Sequence, residues 1–221
     1  MNLPQNPYIA GNPVGGGPAF VGREDVMQAV LRVLRDPQHH GIVLYGQRRI
    51  GKTSILHHLA EWLPKQGKAR AVYFDLQDKA AWPIGKIMGH LAEDIAEVLE
   101  LPEPVVEGEG EEWFRKRWLP GALGALPAGE SLVVLLDEFD VLADAESQRE
   151  VSASVFKYLG ELLNICSTVA ILFVIGRNLE DVVLSGATVV QGAARGTRFV
   201  ATARRRRKID AVNNQWQSYV E

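Results

Sequence analysis

The chain contains a single cysteine in 221 residues. That excludes a disulfide framework and any metal site built from several thiolates. Long hydrophobic runs are also missing. The longest uninterrupted one, Val169–Ile175, is far shorter than the ~20 apolar residues that a membrane-spanning helix needs. No basic residue precedes Arg23, and Pro4, Pro7 and Pro13 interrupt the start. The N-terminus therefore has the pattern of neither a secretory signal nor an Arg-rich transit peptide, and a cytoplasmic location is the expectation. Four of the five histidines fall in two adjacent pairs, His39-His40 and His57-His58; neighbouring side chains on a helix diverge by ~100° and do not converge on one metal. The sequence has no internal repeat.

What is present is a composition that can build a core: 47% of residues are hydrophobic and 23% charged, which excludes a mainly disordered chain. The net charge of −3 conceals an asymmetry. Residues 1–190 carry 17 basic and 25 acidic side chains, and residues 191–221 carry 7 and 2, so an acidic globule ends in a basic segment.

Residues 1–20 are rich in turn and breaker residues (Asn6-Pro7, Asn12-Pro13, Gly15-Gly16-Gly17-Pro18) and read as a loop. Helical periodicity follows over 24–35, 52–63 (closed by Pro64) and 84–99. A further helix is expected over 113–126, broken at Pro120-Gly121, and another from the Ser147/Glu150 capping box to about 166. Short apolar runs at 41–45, 69–76, 132–136 and 169–175 read as strands. Residues 100–112, with six glutamates, read as a solvated loop. Apolar strands separated by helices predict an α/β fold with a mainly parallel sheet between two helical layers.

The chemistry is concentrated in two places. Gly46-Gln47-Arg48-Arg49-Ile50-Gly51-Lys52-Thr53 matches G-x-x-x-x-G-K-[ST] at every fixed position, with a strand before it and a helix after it. Glycines at that spacing let backbone N–H groups turn inward as an anion nest, and the helix N-terminus adds its dipole. Lys52 then reaches the β- and γ-phosphates, and the Thr53 hydroxyl is a Mg²⁺ ligand. The second place is Leu132-Val133-Val134-Leu135-Leu136-Asp137-Glu138, an apolar strand that delivers two carboxylates at its C-terminal end, where open α/β sheets bind ligands. Asp137 is the candidate Mg²⁺ holder and Glu138 the candidate for orienting the attacking water. Asp140 is expected to lie further out or to be exposed. Strand 169–175 is expected to insert between the lysine strand and the aspartate strand, the arrangement of P-loop ATPases with a catalytic glutamate.

Three segments carry a family resemblance: Phe20-Val21-Gly22-Arg23-Glu24, Leu44-Tyr45 running through the phosphate loop to Ser54, and Leu135-Leu136-Asp137-Glu138-Phe139-Asp140. Together they resemble the STAND branch of AAA+-type P-loop ATPases, over roughly residues 6–184. The resemblance implies a P-loop NTPase three-layer sandwich, with ATP and Mg²⁺ as ligands. It places Val21, Gly22 and Arg23 near the adenine, and the phosphate loop from Gly46 to Ser54 around the phosphates. The absence of an N-K-x-D base-reading motif agrees with ATP over GTP. Ile171-Leu172-Phe173-Val174-Ile175-Gly176-Arg177 is similar to the family's sensor strand, which makes Arg177 either a sensor of the γ-phosphate or a surface residue opening the next helix. Members of the family switch between closed ADP-bound and open, self-associating ATP-bound forms through a helical lid.

The expected organisation is a loop over 1–20, an ATPase core over 21–184 and a basic segment over 185–221, with the lid absent or truncated. Arg204, Arg205, Arg206, Arg207 and Lys208 read as a phosphate-backbone or acidic-lipid contact, as a solvated tail, or as the end of a frame-shifted product. The leading functional expectation is ATP hydrolysis by a switch module. The alternatives are a nucleotide-binding fragment with little turnover and a DNA-associated ATPase. Trp113-Phe114-Arg115-Lys116-Arg117-Trp118 is better explained by an amphipathic helix than by nucleic-acid contacts, and Cys166 by burial than by nucleophilic chemistry.

Overall fold

Four apolar segments form parallel strands, β1 (His39–Gly46), β2 (Ala69–Asp75), β3 (Ser131–Asp137) and β4 (Val169–Ile175). The computed structural model describes residues 20, 22–35, 39–46, 49–143, 158–159, 161–162, 168–175, 187–190 and 197–203. The sheet runs β2-β3-β4-β1, so β4 lies between the lysine strand and the aspartate strand, as expected. Two antiparallel strands, β5 (Ala187–Val190) and β6 (Thr197–Ala203), extend the sheet beyond β1, with β6 paired to β1 and β5 to β6. These strands come from the region expected to lie outside the core. Their apolar and β-branched residues (Thr188-Val189-Val190, Phe199-Val200) suit a strand, and that preference was masked by the flanking glycines and arginines.

Both faces of the sheet are covered. Val133 and Leu135 of β3 face the helices α1 (Glu24–Leu34) and α2 (Lys52–Lys65), together with Ile42, Leu44, Ala71, Leu172 and Val174. Leu132, Val134 and Leu136 face the other way, with Val72, Phe74 and Phe173, against α3 (Ile84–Val98) and the residues that follow it. Burying a Val or Leu side chain contributes about 1.5–3 kcal/mol. A parallel sheet that uses this on both faces reads as continuous apolar runs, which is why these strands stand out in the sequence.

Two proline expectations are corrected. Pro64 does not close α2 but sits inside its last turn. The helix ends instead through i→i−3 bonds, from Gln66 N to the Leu63 carbonyl (3.1 Å) and from Gly67 N to the Pro64 carbonyl (2.9 Å), where Gly67 adopts φ +68°. Nor does Pro120 break the helix near 113–126. It occupies the first turn of α5 (Leu119–Gly124), where no intrahelical N–H is required. The irregularity lies one turn upstream, in a π-helical turn, Phe114–Trp118, that follows α4 (Gly110–Trp113). In this stretch Trp113 and Phe114 are buried, and Arg115, Lys116 and Arg117 pair with Glu161, Glu112 and Glu107. Packing and ion pairs thus account for the aromatic-basic pattern. Ser147, Glu150 and Cys166 lie outside the described residues. Among the described residues no helix is long and apolar enough to cross a membrane, and no group of three or more His, Cys, Asp or Glu side chains could hold a metal.

Candidate functional site

The site is built where β1, β2, β3 and β4 all end on one edge of the sheet. After β1 the chain turns through Arg49 and Gly51, both at positive φ (+63° and +92°). Gly51 caps α2 in the left-handed region, a conformation that costs a side-chain-bearing residue roughly 1–2 kcal/mol. The first α-helical bond of α2 runs from Ile55 N to the Gly51 carbonyl (3.0 Å), so Lys52, Thr53 and Ser54 form the first turn, at the positive end of the helix dipole. Lys52 is buried and Thr53 and Ser54 are half-buried. Behind the loop, Arg23 Nη2 donates to the Ile50 carbonyl oxygen at 2.6 Å, which anchors the turn to the residue preceding α1. Gly22 adopts φ +77° next to it.

Asp137 is the last residue of β3. By the two-residue period of the strand it falls on the same face as Val133 and Leu135, the face covered by α2. It is 1% exposed. Both carboxylate oxygens have partners: Oδ1 accepts from Glu138 N (2.9 Å) and Oδ2 accepts from the Tyr73 hydroxyl (3.1 Å). Tyr73 belongs to β2, opposite Leu135, and its ring stacks on His57 of α2 at a centroid distance of 4.4 Å and 28° between planes. Burial, and after it the negative charges of Asp137, Asp75 and Glu138, push the Tyr73 hydroxyl far above its usual range, so it stays a protonated donor. Glu138 itself is half-buried at φ +49°, a left-handed kink for a non-glycine residue just past the strand end. Beside it, Asp75 is in register with Asp137, and its Oδ1 accepts from Gln77 N (2.9 Å).

Of the residues expected at the site, Gly22, Arg23, Gly46, Arg49, Ile50, Gly51, Lys52, Thr53, Ser54, Asp137 and Glu138 lie on or beside these elements. Val21, Gln47, Arg48, Arg177 and Arg204 through Lys208 lie outside the described residues, as does the side chain of Asp140. Sequence reasoning missed Tyr73 and His57. The available signal was weak: a tyrosine in an apolar strand needs a partner for its polar tip, and His57 follows Thr53 by four residues, on the same helix face.

No curated protein matches the sequence. Among solved structures, a Walker-type ATPase of Pyrococcus abyssi superimposes with a TM-score of 0.52 at 15% identity, over 75% of this chain and 48% of that one. The ORC1 protein of Aeropyrum pernix, solved in complex with DNA, aligns with a TM-score of 0.43 at 17% identity, over 72% of this chain and 41% of that one. The chain thus spans about half the length of these solved proteins or less. The first likeness is one of fold. The AAA domain family matches residues 35–183, well over half of the sequence and the whole stretch from β1 through β4. The chain belongs to the AAA domain family of P-loop ATPases.

Proposed function

We propose that this chain binds ATP and hydrolyses it with Mg²⁺, as the core of a STAND/AAA+-like nucleotide switch. The observation that carries this reading is the placement of a buried lysine and a buried aspartate around one sheet edge. Lys52 starts the helix behind a left-handed glycine, and Asp137 ends a strand on the face that this helix covers. A lysine at the N-terminus of the helix after a glycine-rich turn and an aspartate at the C-terminal end of a neighbouring strand are the groups that hold a phosphate chain and its cation in P-loop sites.

The residues suit that ligand. The loop from Gly46 to Gly51 and the first turn of α2 offer backbone N–H groups and a dipole of the right sign for phosphate. Lys52 contributes the ammonium. The Thr53 hydroxyl and the Asp137 carboxylate are hard oxygen donors of the kind Mg²⁺ takes. The metal, when bound, neutralises charge on the phosphate oxygens. Glu138, held on the kink after Asp137, is the group for polarising the attacking water. Val21, Gly22 and Arg23 are assigned to the adenine side and Arg177 to sensing the γ-phosphate, on the family resemblance.

Titration with a fluorescent ATP analogue tests the assignment: Lys52→Ala abolishes binding that the parent chain shows. Micromolar affinity retained in the variant would remove Lys52 from the site and the reading with it.

A further inference from the structure

We propose that Tyr73 is a positioning residue for the Asp137 carboxylate, its hydroxyl fixing Oδ2 and its ring carrying that constraint to the phosphate-loop helix through His57. The proposal rests on the reading of Asp137 and Thr53 as the Mg²⁺-holding pair.

A carboxylate held only by the amide that follows it in the chain is free to pivot about its Cβ–Cγ bond. In Asp137 the bond from Glu138 N reaches one oxygen, and it belongs to the same local turn. The second bond comes from another strand, 64 residues away in sequence, and reaches the other oxygen. Two donors on two oxygens from independent elements fix the plane of the group. The Tyr73 bond is charge-assisted, and an ionised carboxylate has about four acceptor positions, so capacity for further partners remains.

The tyrosine ring is constrained in turn. It lies against the His57 imidazole at 4.4 Å, close to parallel. His57 sits one turn after Thr53 on α2, and residues four apart share a helix face. The path Thr53, His57, Tyr73, Asp137 thus runs from one proposed metal-holding side chain to the other through one helical turn, one ring stack and one hydrogen bond. α2 and β3 are joined here by side chains as well as by the apolar layer between them. A displacement of the phosphate-loop helix relative to β2 would be transmitted to the carboxylate. Tyrosine is suited to this, since it is rigid and its two ends meet an aromatic ring and an anion.

The test uses the full 221-residue chain and a fluorescent ATP analogue, titrated once with Mg²⁺ and once with EDTA. The ratio of the two affinities is the metal-dependent gain. Asp137→Asn removes the gain. Tyr73→Phe keeps the ring and its stack, so affinity in EDTA stays within about twofold of the parent while the gain falls by roughly tenfold to a hundredfold, the loss expected for one hydrogen bond to a charged group. The double variant is no worse than Asp137→Asn alone. His57→Phe preserves the stack and the gain, whereas His57→Ala lowers it. Two outcomes overturn the proposal while leaving the metal reading intact: a full gain in Tyr73→Phe, which makes the hydroxyl a merely satisfied one, or an equal loss with and without Mg²⁺, which makes the residue structural. A parent chain that gains nothing from Mg²⁺, or an Asp137→Asn variant that keeps the gain, overturns the metal reading and the proposal together.

Discussion

Replacing Gly110 with alanine sets local helix preference against a tertiary contact, and the contact decides the sign. Gly110 opens α4, and in a helix interior alanine is favoured over glycine by about 1 kcal/mol. A Cβ at Gly110, however, lies 2.5 Å from the Gly85 carbonyl oxygen and 2.9 Å from both the carbonyl carbon and Cα of Gly85. All three are backbone atoms of α3, so no rotamer change relieves the overlap. Carbon atoms in good contact sit about 3.5–4.0 Å apart; the two helices must therefore separate by roughly 1 Å at their crossing. That movement loosens Trp113 and Phe114, which follow directly and pack against the core with Ile87 and Leu91. Overpacking of this kind costs about 1–3 kcal/mol, and rigid backbone atoms place Gly110→Ala at the upper end. Offset by the propensity gain, the net loss is about 2 kcal/mol, which in a chain of this size lowers Tm by about 4–8 °C. Thermal unfolding followed by circular dichroism measures it. Gly85→Ala is the internal control: its Cβ meets the Gly110 nitrogen at 3.3 Å, and its effect is smaller. A Gly110→Ala protein as stable as the parent would refute the close crossing of α3 and α4.

Glu138→Gln retains ATP binding and lowers turnover by about a hundredfold or more, the range for losing a general base, as single-turnover hydrolysis will show; equal rates in variant and parent contradict the role. Arg23→Gln removes the guanidinium that donates to the Ile50 carbonyl and weakens ATP binding by about tenfold. If this acts through the loop, competition by inorganic tripolyphosphate weakens in parallel; a loss confined to nucleotides assigns Arg23 to the base instead. Burial raises the pKa of the Asp94 carboxyl, with Glu97 and Glu93 adding to the shift and Lys79 and His90 opposing it. The folded state therefore holds this proton more tightly than the unfolded state, and Asp94 costs stability once the pH exceeds its ordinary value of 3.8. Asp94→Asn raises Tm at neutral pH, and the advantage fades as the pH falls through that value; an advantage unchanged by acidification would show that the carboxyl's charge is not its source.

Much of the fold was legible because its signals are local. Val169–Ile175 reads as a strand from composition alone, and the glycine spacing from Gly46 to Gly51 calls for a tight turn ahead of a helix, since few other residues adopt the φ +92° found at Gly51. The insertion of β4 between β3 and β1 was expected from the order of motifs and is found. Where expectation failed, the cause was a neighbour distant in sequence or a backbone adjustment that residue type does not encode. Pro120 is harmless because the deformation is taken up by the π turn before it. Thr197–Ala203 became a strand because β1 had an edge to offer.

The side-chain environment of the candidate site depended on the same non-local geometry. Residue identity was enough to nominate Lys52, Thr53, Asp137 and Glu138, because anion nests and metal-holding carboxylates require particular chemical groups at particular spacings. It could not nominate Tyr73 or His57. Their roles depend on the register that sets Tyr73 opposite Leu135 and on the path of α2 over β2, and both are set by packing of the whole apolar layer rather than by any stretch of chain near either residue.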